Sequence, residues 1–61
     1  MKCQILTDRK GHLQMIAMTK RTGRSDYPYY VRIKVAEGYL YQGYLKSKRE
    51  AEKKVRSYAN I

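Results

Sequence analysis

The chain has 61 residues, with 14 Lys and Arg against 5 Asp and Glu, a formal charge of +9, one Cys, one His, seven Tyr and neither Phe nor Trp. That length holds a single small domain over residues 1–61 and excludes a cofactor fold joined to a substrate domain. Lone Cys3 excludes an internal disulfide, and Cys3 with His12 falls short of a structural zinc site, so a thin core must rely on packing, a second copy or a ligand.

The predicted elements begin with a strand over residues 2–7, with Cys3, Ile5 and Thr7 on one side and Gln4 and Leu6 on the other. Asp8-Arg9-Lys10-Gly11 is a turn signal, with Gly11 suited to a left-handed position. Residues 12–20 return as a second strand of imperfect alternation. Leu13, Met15 and Ala17 share one face, Ile16 and Met18 the other, and a short helical segment is the alternative. Arg21 to Pro28 is a flexible loop rich in turn formers.

From Tyr29 the pattern sharpens. Tyr29, Val31, Ile33 and Val35 alternate with Tyr30, Arg32 and Lys34, the period-2 signature of a strand over 29–35 with one wet face. Ala36-Glu37-Gly38 makes a three-residue connection, and the return strand covers 39–45, with Gly43 marking a bulge or a close backbone approach. Ser47-Lys48-Arg49-Glu50 reads as a capping box, Ser for the helical amide and Glu for the cap amide. The helix near 48–59 then sets Ala51, Val55, Tyr58 and Ala59 on one stripe. Too short to stand alone in water, it must lie on the sheet. Its expected seat is the face of Val31, Ile33 and Val35, joined by Cys3, Ile5, Leu13 and Met15. The expected fold class is α+β, a small antiparallel sheet of three to four strands backed by one C-terminal helix.

With the helix on the aliphatic face, the opposite face displays Tyr30, Arg32 and Lys34, joined by Gln14, Lys20 and, depending on register, Tyr39 and Tyr41. Tyr29, Tyr44 and Tyr58 fall at inward positions and serve packing. Asp8, Asp26 and Glu37 sit in turns and Glu50 belongs to the cap, so no carboxylate pair is available for acid–base work. One His and one Cys build no nucleophilic constellation, and Cys3 reads as a small buried apolar residue. The four glycines are scattered and form no phosphate loop. No enzyme activity and no cofactor or metal are expected.

A pI of 9.9 is the electrostatic footprint of a polyanion partner. No run approaches the ~20 apolar residues of a membrane span, no signal-peptide pattern is present, and the basic residues do not oppose an apolar stripe. A soluble cytoplasmic protein without a membrane partner is expected.

The runs Tyr30-Val31-Arg32-Ile33-Lys34-Val35, Gly38-Tyr39-Leu40-Tyr41-Gln42-Gly43-Tyr44-Leu45 and Ser47-Lys48-Arg49-Glu50-Ala51-Glu52 together resemble the sheet-and-helix DNA-binding domains. That group includes the AP2 domains and the arm-binding amino-terminal domains of phage and transposon integrases. The resemblance covers roughly half the chain and implies an antiparallel sheet in the DNA major groove with a carboxy-terminal helix behind it. It implies that Arg32, Lys34, Tyr30, Tyr39 and Gln42 face the groove. No recombinase domain follows in this sequence, so the implied role is that of a free-standing accessory or regulatory protein. A phage or mobile element is the implied source, and the host cytoplasm the compartment.

Phosphate contacts are expected from Lys20, Arg21 and Arg24 on the loop side and from Lys46 and Lys48 near the helix start. Double-stranded DNA is the first expectation, with RNA or a single strand as the nucleic-acid alternative. A different class of partner is a protein: the tyrosines with Ile16 and Met18 would anchor a small module that inhibits a host or defence enzyme, or a homodimer.

Overall fold

Two hairpins and a terminal helix follow one another along the chain. The computed structural model describes residues 2–59, as β1 (Lys2–Thr7), β2 (Gln14–Arg21), β3 (Tyr29–Val35), β4 (Gly38–Leu45) and α1 (Lys48–Ala59). The strands form one antiparallel sheet in the order β1-β2-β3-β4. The α+β class with a single C-terminal helix is therefore what the patterning predicts, and residues 14–21 are strand, not helix.

Local chemistry explains each connection. In the first turn the Gly11 N–H donates to the Asp8 carbonyl at 3.0 Å and the His12 N–H to Asp8 Oδ1 at 2.7 Å, with Gly11 at a φ of 73°. The turn runs on to Leu13, so β2 starts two residues later than its composition suggests. The second hairpin closes over Ala36 and Glu37 alone, a two-residue connection, with Gly38 already paired to Val35. At the helix start the Glu50 N–H donates to Ser47 Oγ at 3.1 Å. The Glu50 carboxylate reaches one residue further back than in a standard capping box, accepting from the Lys46 N–H at 3.3 Å.

The buried core is Met15 and Ala17 from β2, Val31 and Ile33 from β3, and Ala51 and Val55 from α1. Leu6, Tyr29, Val35, Tyr41, Leu45 and Tyr58 pack around it half-buried. Cys3, Ile5 and Leu13 are not part of it, contrary to the alternation argument. Pairing of Leu6 with Met15 puts Leu6 on the helix side, so Ile5 and Cys3 point the other way, opposite Ile16 and Met18. Cys3 is exposed, Ile5 is 68% exposed, and Leu13 lies in the turn. The reason is register: facing follows the partner strand, and the inward place beside Met15 falls to Leu6. The other helix-side residues of β1 are the polar Lys2 and Gln4.

A β-bulge reorganises β4. Ile33 pairs with Tyr41 but Lys34 pairs with Tyr39, leaving exposed Leu40 as the extra residue. Tyr41 consequently turns inward while Tyr39 turns outward, which unbroken alternation forbids. Downstream of the bulge Gln42 and Tyr44 face outward with Arg32 and Tyr30, so Tyr44 is not the core residue its spacing suggests. Gly43 is not the bulge; it gives close approach to the Tyr41 ring, since a Cβ there would lie 2.6 Å from the Tyr41 hydroxyl.

Two substitutions test this packing. Ile33→Ala should cost about 2–5 kcal/mol, comparable to the roughly 3–5 kcal/mol a core of this size supplies, and leave the chain largely unfolded by circular dichroism at 25 °C. Gly43→Ala should destabilise by about 1–3 kcal/mol in urea unfolding, because the Tyr41 ring must leave its place against Tyr58.

Candidate nucleic-acid interface

The sheet face away from α1 has two unlike halves. On β3 and β4 it displays Tyr30, Arg32, Lys34, Tyr39, Gln42 and Tyr44, with Lys20 next to Tyr30 on β2. On β1 and β2 it displays Cys3, Ile5, Ile16 and Met18, which meet as the directly opposed pairs Ile5–Ile16 and Cys3–Met18. Cross-strand packing of this kind stabilises the hairpin without a helix above it.

Cations and rings alternate across the basic half. Arg32 is half-buried, its guanidinium carbon 5.3 Å from the Tyr39 ring centre while Nη2 donates a long contact of 3.9 Å to Met18 Sδ. The side chain therefore lies along the sheet, held from β2 and β4 at once. Lys20 Nζ sits 5.5 Å from the Tyr30 ring, and Tyr30 meets Tyr44 at 5.2 Å between ring centres with a 57° tilt. Exposed cation–π contacts of this order are worth about 0.5–1 kcal/mol each and hold long side chains against the surface. Tyr44, 51% exposed, is the member that sequence spacing misses; only the Leu40 bulge reveals it.

Carboxylates are segregated from this surface. None of the four strands contains Asp or Glu: Asp8, Asp26 and Glu37 lie in the connections and Glu50 and Glu52 in α1. Among the described residues the only ion pair is Arg24 with Asp26, at 3.1 Å and exposed.

That pair belongs to the loop between β2 and β3, which is tied together by hydrogen bonds. The Thr22 N–H donates to the Pro28 carbonyl at 2.9 Å, and the Thr22 hydroxyl donates to the Tyr27 carbonyl at 2.7 Å while accepting from the Arg24 N–H at 3.0 Å. Asp26 takes two bonds from the Arg24 guanidinium and one from the Tyr27 N–H. Arg24 thereby reaches the end of the open face, 5.7 Å from the Tyr44 ring, with its charge already partnered. Lys46 lies apart from the strands, its Nζ 5.9 Å from the Tyr27 ring.

The expected phosphate contacts divide between two surfaces. Lys20 and Arg24 border the open face. Arg21 projects to the helix side, as its pairing with Tyr29 requires, and Lys48 stands on the first turn of α1 across a groove from it. Lys2 and Arg56 line the same groove, and sequence patterning does not single them out, because they come from opposite ends of the chain. No helix is long and apolar enough to cross a membrane, and no cluster of three or more His, Cys, Asp or Glu suited to a metal occurs among the described residues.

The loop also fixes the carboxylate of Asp26. Hydrogen bonding from Arg24 holds the Asp26 carboxyl below its ordinary 3.8, outweighing slight desolvation, with the Tyr27 N–H assisting. At Asp8 desolvation is the largest single influence and pushes upward, but the backbone N–H groups of His12, Leu13 and Gly11 together prevail and hold the carboxyl below its ordinary value. A carboxyl lowered by folding stabilises above its unfolded pKa, and that contribution disappears as pH falls through the folded value. The Asp26 side-chain carbon should therefore titrate below 3.8 by NMR, and Arg24→Gln should move the midpoint up toward 3.8.

Compared with protein-family models, curated proteins and solved structures, the chain matches none of them.

Proposed function

We propose that the protein is a non-enzymatic DNA-binding accessory or regulatory protein, encoded by a phage or mobile element, that uses the β3–β4 half of its open sheet face. The observation that carries this reading is the charge segregation: Lys20, Arg32 and Lys34 stand among tyrosines on strands that hold no carboxylate. A major groove about 12 Å wide admits a two-stranded ribbon, and β3 with β4 forms one. In this reading Arg32, spread flat between Met18 and Tyr39, offers its remaining N–H donors to a base edge or a phosphate. Gln42, paired with Arg32 across the strands, adds an amide donor and acceptor beside it. Lys34, Lys20, Tyr30 and Tyr39 contact phosphate and sugar.

A second reading has its own observation. Ile5 and Ile16 are 68% and 50% exposed on the other half of the face, with Met18 beside them, an apolar patch that suits a protein partner. A small module inhibiting a host or defence enzyme would anchor there, its binding nearly independent of salt.

Fluorescence anisotropy against duplex at several salt concentrations separates the two. Neutralising four to six phosphates should give a log–log salt slope of about −4 to −5. Arg32→Ala should weaken a cognate site by about 1–3 kcal/mol if the guanidinium reads a base edge, and less if it meets phosphate alone. Tighter binding to an unstructured strand than to duplex of equal length would replace groove reading by base stacking on the tyrosines. Micromolar duplex with no response at low salt rejects the proposal.

A further inference from the structure

Between α1 and the β1–β2 side of the sheet lies a groove of about 580 Å³, within the roughly 300–1,000 Å³ range of ligand clefts. Lys2, Arg21, Lys48 and Arg56 line it against the single carboxylate of Glu52. Its remaining surface includes Val55 and Tyr29, which belong to the core and fix the walls. Lys48, Glu52, Val55 and Arg56 follow one another at i, i+4, i+7 and i+8, one stripe of the helix, so the cations are set by rigid elements on both sides. None of these four makes an ion pair among the described residues. Concentrating like charges in a concave site is unfavourable unless an anion occupies it.

We propose that this groove is a second anion site and that its occupant is the phosphodiester backbone of a nucleic-acid strand, bound through its phosphates. Lys20 lines the groove while its ammonium lies over Tyr30 on the open face, so the two surfaces meet at the end of β2. The groove site does not depend on the open face reading DNA, and each surface can fail alone.

The test is an NMR titration of the isotopically labelled protein with inorganic triphosphate and with a short single-stranded oligonucleotide, at low salt and at 0.15 M. Saturable amide shifts are expected around residues 2–4, 19–21 and 48–56 with both probes, weakening with salt. Lys48→Gln combined with Arg56→Gln should raise both dissociation constants by about tenfold or more, because two charge-assisted contacts are lost. Arg32→Ala with Lys34→Ala should leave the triphosphate constant within about twofold, since those side chains are on the other face. Should the helix variant lose its fold, Arg21→Gln is read in its place. Shifts spread evenly over all basic residues, no saturation by millimolar triphosphate, or equal losses in the open-face variant would overturn the site. Triphosphate binding without oligonucleotide binding would overturn the phosphodiester occupant.

Discussion

Only two side chains of α1, Ala51 and Val55, are fully buried, and the molecule depends on their contact with Met15, Ala17, Val31 and Ile33. A small alanine and a β-branched valine are all that the helix contributes to the buried cluster. Because the helix rests chiefly on one side of a four-stranded sheet, it decides three things at once. It fixes which residues of β3 are dry, it leaves the reverse face of the whole sheet uncovered, and it leaves a trough beside β1. Both candidate binding surfaces follow from a single helix on one face of the sheet: the reverse face is left open, and a groove remains beside the helix.

Electrostatics then sorts the surface that packing leaves open. The strands supply cations, tyrosines and amides but no carboxylate, while the acids are confined to turns and the helix. At turns they satisfy backbone donors, as Asp8 and Asp26 do, and at the helix start Glu50 closes the cap. Each acidic side chain with such a role is therefore held by local structure and kept away from the open strands. The net charge of +9 is thus distributed unevenly, and unevenness is what turns a basic protein into one with a directional field.

Much of this was legible beforehand. The clean alternation of Tyr29 to Val35 gave the wet and dry faces of β3 correctly, with Arg32 and Lys34 outward, and the Ser47–Glu50 spacing placed the start of α1. The two hairpins of an antiparallel sheet followed from their turn signals. Three things were not legible, for separate reasons. In β1 the apolar residues Cys3 and Ile5 suggested the core, but register is imposed by the partner strand, and Met15 draws Leu6 inward instead. In β4 a single additional residue reverses the facing of everything beyond it, and nothing in Tyr39-Leu40-Tyr41 declares which residue is additional. That exchange is why Tyr41 is lost from the open face and Tyr44 gained, and why Tyr39 and Gln42, of opposite parity, both belong to it. The groove was invisible for a third reason: Lys2 and Arg56 become neighbours only through tertiary folding.

The extra residue at Leu40 also bears on how the edge of the sheet would meet another strand. β4 is an outer strand, and an uninterrupted outer strand is a template on which a neighbouring molecule can continue the sheet. A kink there disturbs the row of outward amides and carbonyls and increases the local coil of the strand. That break makes the tyrosine-rich outer strand a poorer template for continuing the sheet from one molecule to the next.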